Sequence, residues 1–159
     1  MSFETAVNTT LQYEGGYVND PNDPGGETNF GISKKAYPNL DIKNLIIDDA
    51  KAIYKRDYWD KLNLDVLPEG ISSCVFDSAV NQGTKAASIL LQRAAGVKDD
   101  GVIGPMTLAA VKAKDPMHLI RDFTVQRILM YSKLPIWSIY SKNWTQRSID
   151  VALTARSFL

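Results

Sequence analysis

Apolar residues recur at threes and fours along most of the chain, which is the period of a helix with one buried face. Phe3, Ala6, Val7 and Leu11 mark a first helix, and Gly15 and Gly16 offer a left-handed stop after Glu14. A second helix is expected over 48–59, with Asp48 and Asp49 at its positive end. The segment 71–82 is apolar on most sides (Ile71, Val75, Phe76, Ala79, Val80), which predicts a helix at the centre of the core. Another covers 85–95 and closes at Gly96. Pro105 suits the first position of a helix, and Asp115 and Pro116 pair an N-cap with an N1 proline to open a long helix through Met130. A last helix is expected near Trp144. Strand signal is thin, and the best candidate is a short hairpin within 17–32. The pattern predicts a mainly α fold with a small β-hairpin or loop region after the first helix.

Composition narrows the function classes. The chain has 159 residues, 45% hydrophobic and 23% charged, enough for one domain with a sizeable core and no disulfides. Eighteen basic and eighteen acidic side chains cancel, so no net field draws it to nucleic acid or to an anionic membrane, although a local patch stays open. Cys74, the one cysteine, lies in an apolar run and reads as a buried small hydrophobe. The start "MSFETAVNTT" has neither a basic region nor an apolar core of a signal peptide, and no apolar run approaches membrane-spanning length. Synthesis in the cytoplasm is expected, so a target outside needs another carrier. His118 is the lone histidine, and without a second one or a cysteine pair no zinc site is expected, nor any other metal or cofactor.

The densest chemistry lies in "LQYEGGYVNDPNDPGGETNFGI", residues 11–32. At the negative end of a helix, under Tyr13, Tyr17 or Phe30, Glu14 would be disfavoured as a carboxylate, as suits a proton donor. A returning hairpin can set Asp20 or Asp23 opposite it. Two carboxyls across a gap are what glycoside hydrolysis uses: one protonates the leaving oxygen, and the other stabilises or attacks the sugar cation or activates water. Gly25 and Gly26 would admit a bulky substrate, and Thr28 can bond a water or a sugar hydroxyl. Turn chemistry alone accounts for much of the same composition, because Asn-Asp-Pro makes Asx turns and Gly-Gly supplies positive φ. A calcium loop fails on spacing, with Pro24 and Gly31 where oxygen ligands should fall.

"EGGYVNDPNDPGGETNFGI" closely resembles the signature of glycoside hydrolase family 108, the N-acetylmuramidases of phage endolysins and secretion-associated bacterial lysozymes. "YKRDYWDKLNLDVLPEGISSCVFDSAVNQG" resembles that family's middle segment, "VKDDGVIGPMTLAAV" its C-terminal predicted peptidoglycan-binding portion, and "NWTQR" a Trp-x-x-Arg stretch near its end. The resemblance implies a lysozyme-like helical fold in a single domain over 1–159, with a catalytic portion over 1–95 and the binding portion over 96–159 packed on it. It implies cleavage of the β-1,4 bond between N-acetylmuramic acid and N-acetylglucosamine. Glu14 is then the catalytic acid, Asp23 is favoured over Asp20 as second carboxylate, and Thr28 positions water. The implied partners are peptidoglycan glycan strands, reached in the periplasm by a monomer after release through a holin or secretion machinery.

Other residues stay divided. Asp77 and Asn81 share one face of the central helix, where polar groups must be paired, so they either support the fold or face the cleft beside Glu14. The resemblance favours the cleft, with Asn81 and Gln82 as glycan contacts beside Tyr17, Asp20 and Asn29. One of Trp59, Trp137 and Trp144 is expected to line a cleft. "DDGVIGPMT" reads first as a turn feeding a helix. A lytic transglycosylase on a similar scaffold and a non-catalytic peptidoglycan-binding module remain the competing readings.

Overall fold

The computed structural model describes residues 3–20 and 26–159. Among them the order is α1 (Phe3–Leu11), β1 (Thr28–Asn29), β2 (Ile32–Ser33), α2 (Ile47–Tyr54), α3 (Ile71–Gln82), α4 (Thr84–Ala95), α5 (Pro105–Ala113), α6 (Pro116–Tyr131) and α7 (Trp137–Arg156). A π-helical turn, Lys55–Asp60, continues α2, and a 3-10 turn follows at Leu64–Val66. The fold is mainly α with a small antiparallel hairpin after the first helix, as the hydrophobic pattern predicts.

Helix α3 is the axis of the molecule. Every residue from Ile71 to Ala79 is buried, and α1, α4, α6 and α7 all pack on it. No face is left for solvent, which is why its apolar residues follow no single stripe. Phe3, Trp59 and Phe76 meet edge to face beside it, with centroids 5.6–5.8 Å apart, and Tyr54 adds a further edge contact on Phe76. Trp59, Phe76 and Tyr54 are fully buried, each contributing about 1.5–3 kcal/mol over its exposed state. Gly70, at φ 79, starts α3 where a Cβ would lie 2.8 Å from the Ala155 carbonyl oxygen, so the absence of a side chain lets the end of α7 close on the helix.

Several boundaries follow from caps. Asp115 accepts from the His118 N–H and sets Pro116 as the first helical residue of α6; Pro105 is likewise the first residue of α5, after Gly104 and without a capping side chain. Two elements differ from expectation. Helix α7 begins at Trp137, a full two turns before Trp144, because the backbone keeps bonding through the turn after Pro135 although no capping side chain marks it. Helix α1 ends at Leu11: the N–H groups of Gln12 and Tyr13 bond back to Thr9 and Thr10 at the tighter spacing, and the chain has left the helix before Glu14. Glu14 therefore lies in the turn beyond the helix rather than on its last residue.

Candidate active site

The hairpin builds one wall of the site. Its two-residue turn, Phe30–Gly31, has φ 51 and φ 75, the positive pair that joins twisted strands most directly. Phe30 pays for that turn with a conformation rare for a side chain of its size, and the Tyr54 hydroxyl holds it there by donating to the Phe30 carbonyl at 2.7 Å. Gly31 has a second reason to be glycine. A Cβ there would lie 2.5 Å from Glu14 Oε2 and 2.7 Å from the Tyr54 hydroxyl. The Glu14 carboxylate thus rests on the bare backbone of the turn, 17% exposed.

Its other side meets α7. Arg147 Nη2 donates to Glu14 Oε1 at 2.9 Å, and Nη2 and Nε also bond the Asp77 carboxylate of α3 at 2.8 and 3.1 Å. Arg127 of α6 reaches Asp77 Oδ2 at 2.7 Å from the opposite side. Asp77 is 1% exposed, and burial alone would raise its carboxyl; the Arg127 and Arg147 guanidinium groups outweigh that and hold it below the usual carboxylate range. Burial likewise works against the charge on Arg147, but Asp77 and Glu14 keep its guanidinium firmly protonated. Arg127 Nε continues the chain to Gln82 Oε1 at 3.2 Å, and Tyr131 donates to Asn81.

A cavity of about 450 Å³ opens beside Arg147, lined by Tyr13, Asn81, Asn143, Trp144, Gln146 and Asp150. Tyr13 lays its ring 5.1 Å from the Arg147 guanidinium and donates its hydroxyl to Asp150 at 3.1 Å. The arrangement offers a carboxyl held in fixed orientation by Arg147, whose own side chain lines the polar cavity. That geometry can deliver a proton to a bound oxygen or take one from water.

The other candidate residues divide. Asp23 lies outside the described residues. Asp20 and Tyr17 are exposed, and the Tyr17 hydroxyl donates to Glu27 at 3.0 Å, which with some burial raises the phenol. Thr28 is half-buried in β1 and bonds Val18 through both backbone groups at 2.8 Å. Asn29 is buried, and its amide N–H groups close on the Ile42 and Leu45 carbonyls at 3.1 and 3.2 Å, tying the hairpin to the following loop. Asn81 lines the cavity, whereas Gln82 Oε1 accepts from Ser78 and Arg127. Asp77, for which the resemblance favours the cleft, is instead a buried partner of Arg127 and Arg147. Trp144 lines the cavity while Trp59 is core. In "DDGVIGPMT" the buried Gln92 amide binds Asp100, Val102 and Thr107 and shapes the turn into α5.

The sequence reading assigned no role to Arg127, Arg147, Tyr54 or Gly31. The arginines had a signal: Arg127 falls on the buried stripe Phe123, Arg127, Tyr131, and Arg147 on the stripe Arg147, Val151, Ala155. Two cations on core faces require an acid on the helix they cover, and Asp77 is the acid on α3.

Comparison with known proteins agrees with this architecture. The family model described as glycosyl hydrolase 108 matches residues 7–83, and the one described as a predicted peptidoglycan domain matches residues 86–147. The solved structure of Brucella abortus SagA superposes with a TM-score of 0.87 and 35% identity, over 98% of this chain and 94% of that one. No curated protein matches significantly in sequence. With the signature segment, the predicted peptidoglycan domain and a full-length structural relative in agreement, the chain belongs to the glycosyl hydrolase 108 family of glycoside hydrolases.

Proposed function

We propose that the protein is an N-acetylmuramidase that cuts the β-1,4 bond between N-acetylmuramic acid and N-acetylglucosamine, with Glu14 as general acid. The observation that carries this reading is the placement of Glu14, seated on the glycine of the hairpin turn and held by Arg147, which itself lines a polar cavity. In this reading Glu14 gives its proton to the glycosidic oxygen as the bond to the anomeric carbon breaks. Asp23 stabilises the developing sugar cation or directs water to it, with Thr28 orienting that water. Water supplies the hydroxyl of the new reducing end, and its remaining proton restores the acid. Asn81 and the rim of the cavity contact the glycan, and the enzyme works as a monomer without metal or cofactor. Its place of action is the wall after release from the cytoplasm, as for endolysins and secretion-associated lysozymes.

Purified peptidoglycan treated with wild type and with Glu14→Gln, with muropeptides identified by mass, tests the proposal. Reducing N-acetylmuramic ends from wild type, and a loss of at least ~10³-fold in the variant, are expected. Anhydro ends would make the enzyme a lytic transglycosylase. Wall binding without release by either protein would make it a binding module. Activity of Glu14→Gln within tenfold of wild type would remove Glu14 from the acid role.

A further inference from the structure

The corner between α6 and α7 has a chemistry that neither the core nor the cavity uses. Leu134, Ile136, Ile139 and Tyr140 are 42%, 46%, 71% and 44% exposed within one tight turn and the first turn of α7. Scattered exposed apolar residues are ordinary, but four so close together form a tip. That tip is already ordered: the N–H groups of Leu134, Trp137, Ile139 and Tyr140 bond back to Tyr131, Leu134 and Ile136, so it can leave water without stranding those donors. Lys133 and Lys142 flank it, both exposed. No acidic residue lies between Asp122 and Asp150, and the two arginines of that stretch, Arg127 and Arg147, point inward.

We infer that this corner is a docking surface for an anionic lipid bilayer. The combination of an aliphatic tip, a tyrosine and a tryptophan at its base, and lysines in a stretch of chain without acids matches the interface between headgroups and acyl chains. A glycan fits it less well. Trp144, the ring best suited to stack on a sugar, is already stacked with Tyr131 and Tyr140 at 4.7 and 5.4 Å, and the isoleucines give a pyranose nothing to bond. The overall charge balance is no obstacle, because attraction to headgroups is a local effect that fades within a Debye length. Trp137 and Arg147 lie on one helix, about 15 Å apart along its axis, so docking would hold Arg147 and its partner Glu14 a short distance above the lipid surface. This inference does not depend on the muramidase assignment.

Sedimentation of the full chain with phosphatidylglycerol–phosphatidylethanolamine vesicles, and with phosphatidylcholine vesicles, tests it. Binding to the anionic vesicles that falls as salt rises is expected, with little binding to phosphatidylcholine. Lys133→Gln/Lys142→Gln should bind about thirtyfold more weakly, at ~1 kcal/mol per lysine near an anionic surface. Ile136→Ser/Ile139→Ser should lose at least about tenfold through the apolar contact. Both variants should keep wild-type circular dichroism and wild-type hydrolysis of purified peptidoglycan. No vesicle binding by wild type would overturn the inference, as would equal binding by both variants. A wild-type dimer that Ile136→Ser/Ile139→Ser dissociates, without lipid binding, would make the corner a self-association face and also overturn it.

Discussion

Glu14 and Gly31 form a pairing of a side chain with a missing one. Glu14 was legible in the sequence, because a lone acid beside Gly15 and Gly16 at the end of a helical pattern invites a chemical reading. Gly31 was not, since its need for glycine comes from a carboxylate that is distant along the chain and adjacent only after the hairpin has closed. Gly31→Ala puts a Cβ 2.5 Å from Glu14 Oε2 in a backbone with φ 75. The strained backbone alone costs about 1–3 kcal/mol, and Glu14 must also move. We expect a lower melting temperature together with a drop in kcat of more than about tenfold, since small misplacements of an acid are costly. Wild-type kcat in a folded Gly31→Ala would show that the seat does not matter. Cys74 gives a second test at this scale. Burial pushes its thiol up to about 12, so an aromatic disulfide reagent at pH 8 should leave the native protein unlabelled and label one thiol after denaturation. Rapid native labelling would mean that α3 is less enclosed than its burial indicates.

Among the elements, α3, α6 and α7 are joined by one buried carboxylate between two guanidinium groups. The helices themselves were legible from their period and caps, and α3 was recognisable as central because it lacked a polar face. The register between helices was not, because a period shows which residues face inward but not which inward residue meets which. Asp77 shows the gap: as a polar residue on an apolar helix it fits support and cleft equally and the resemblance favours the cleft, and only Arg127 and Arg147, arriving from other elements, make it a buried ion-pair partner. Asp77→Asn leaves two buried cations short of their counter-ion and should cost about 3–5 kcal/mol in urea unfolding at pH 7. The direction with pH follows from linkage. The folded carboxyl lies below its unfolded value of about 3.9, so its stabilisation is complete above that value and fades as pH falls toward the folded one. The gap between wild type and Asp77→Asn should therefore narrow when unfolding is repeated below pH 4. A gap that stays constant would mean that Asp77 acts through shape rather than charge.

For the molecule as a whole, the two family matches divide the chain near the α3–α4 junction, at residues 83 and 86. The packing disregards that division. One hydrophobic cluster runs from Ala6 to Ala155, α3 of the first part lies under α4, α6 and α7 of the second, and Arg147 crosses over to hold Glu14. The first part without its neighbour would expose the arginine-facing side of α3 and leave Asp77 without either cation. We therefore expect one cooperative unfolding transition for the chain. Trp137→Phe/Trp144→Phe leaves Trp59 as the sole tryptophan, buried in the first part, while α4 to α7 supply most of the helical signal in circular dichroism. Urea unfolding of that variant should give the same midpoint by Trp59 fluorescence and by ellipticity at 222 nm, as a two-state chain requires. Two separated midpoints would mean that the parts fold independently, and Glu14 would then depend on a docking equilibrium for its contact with Arg147.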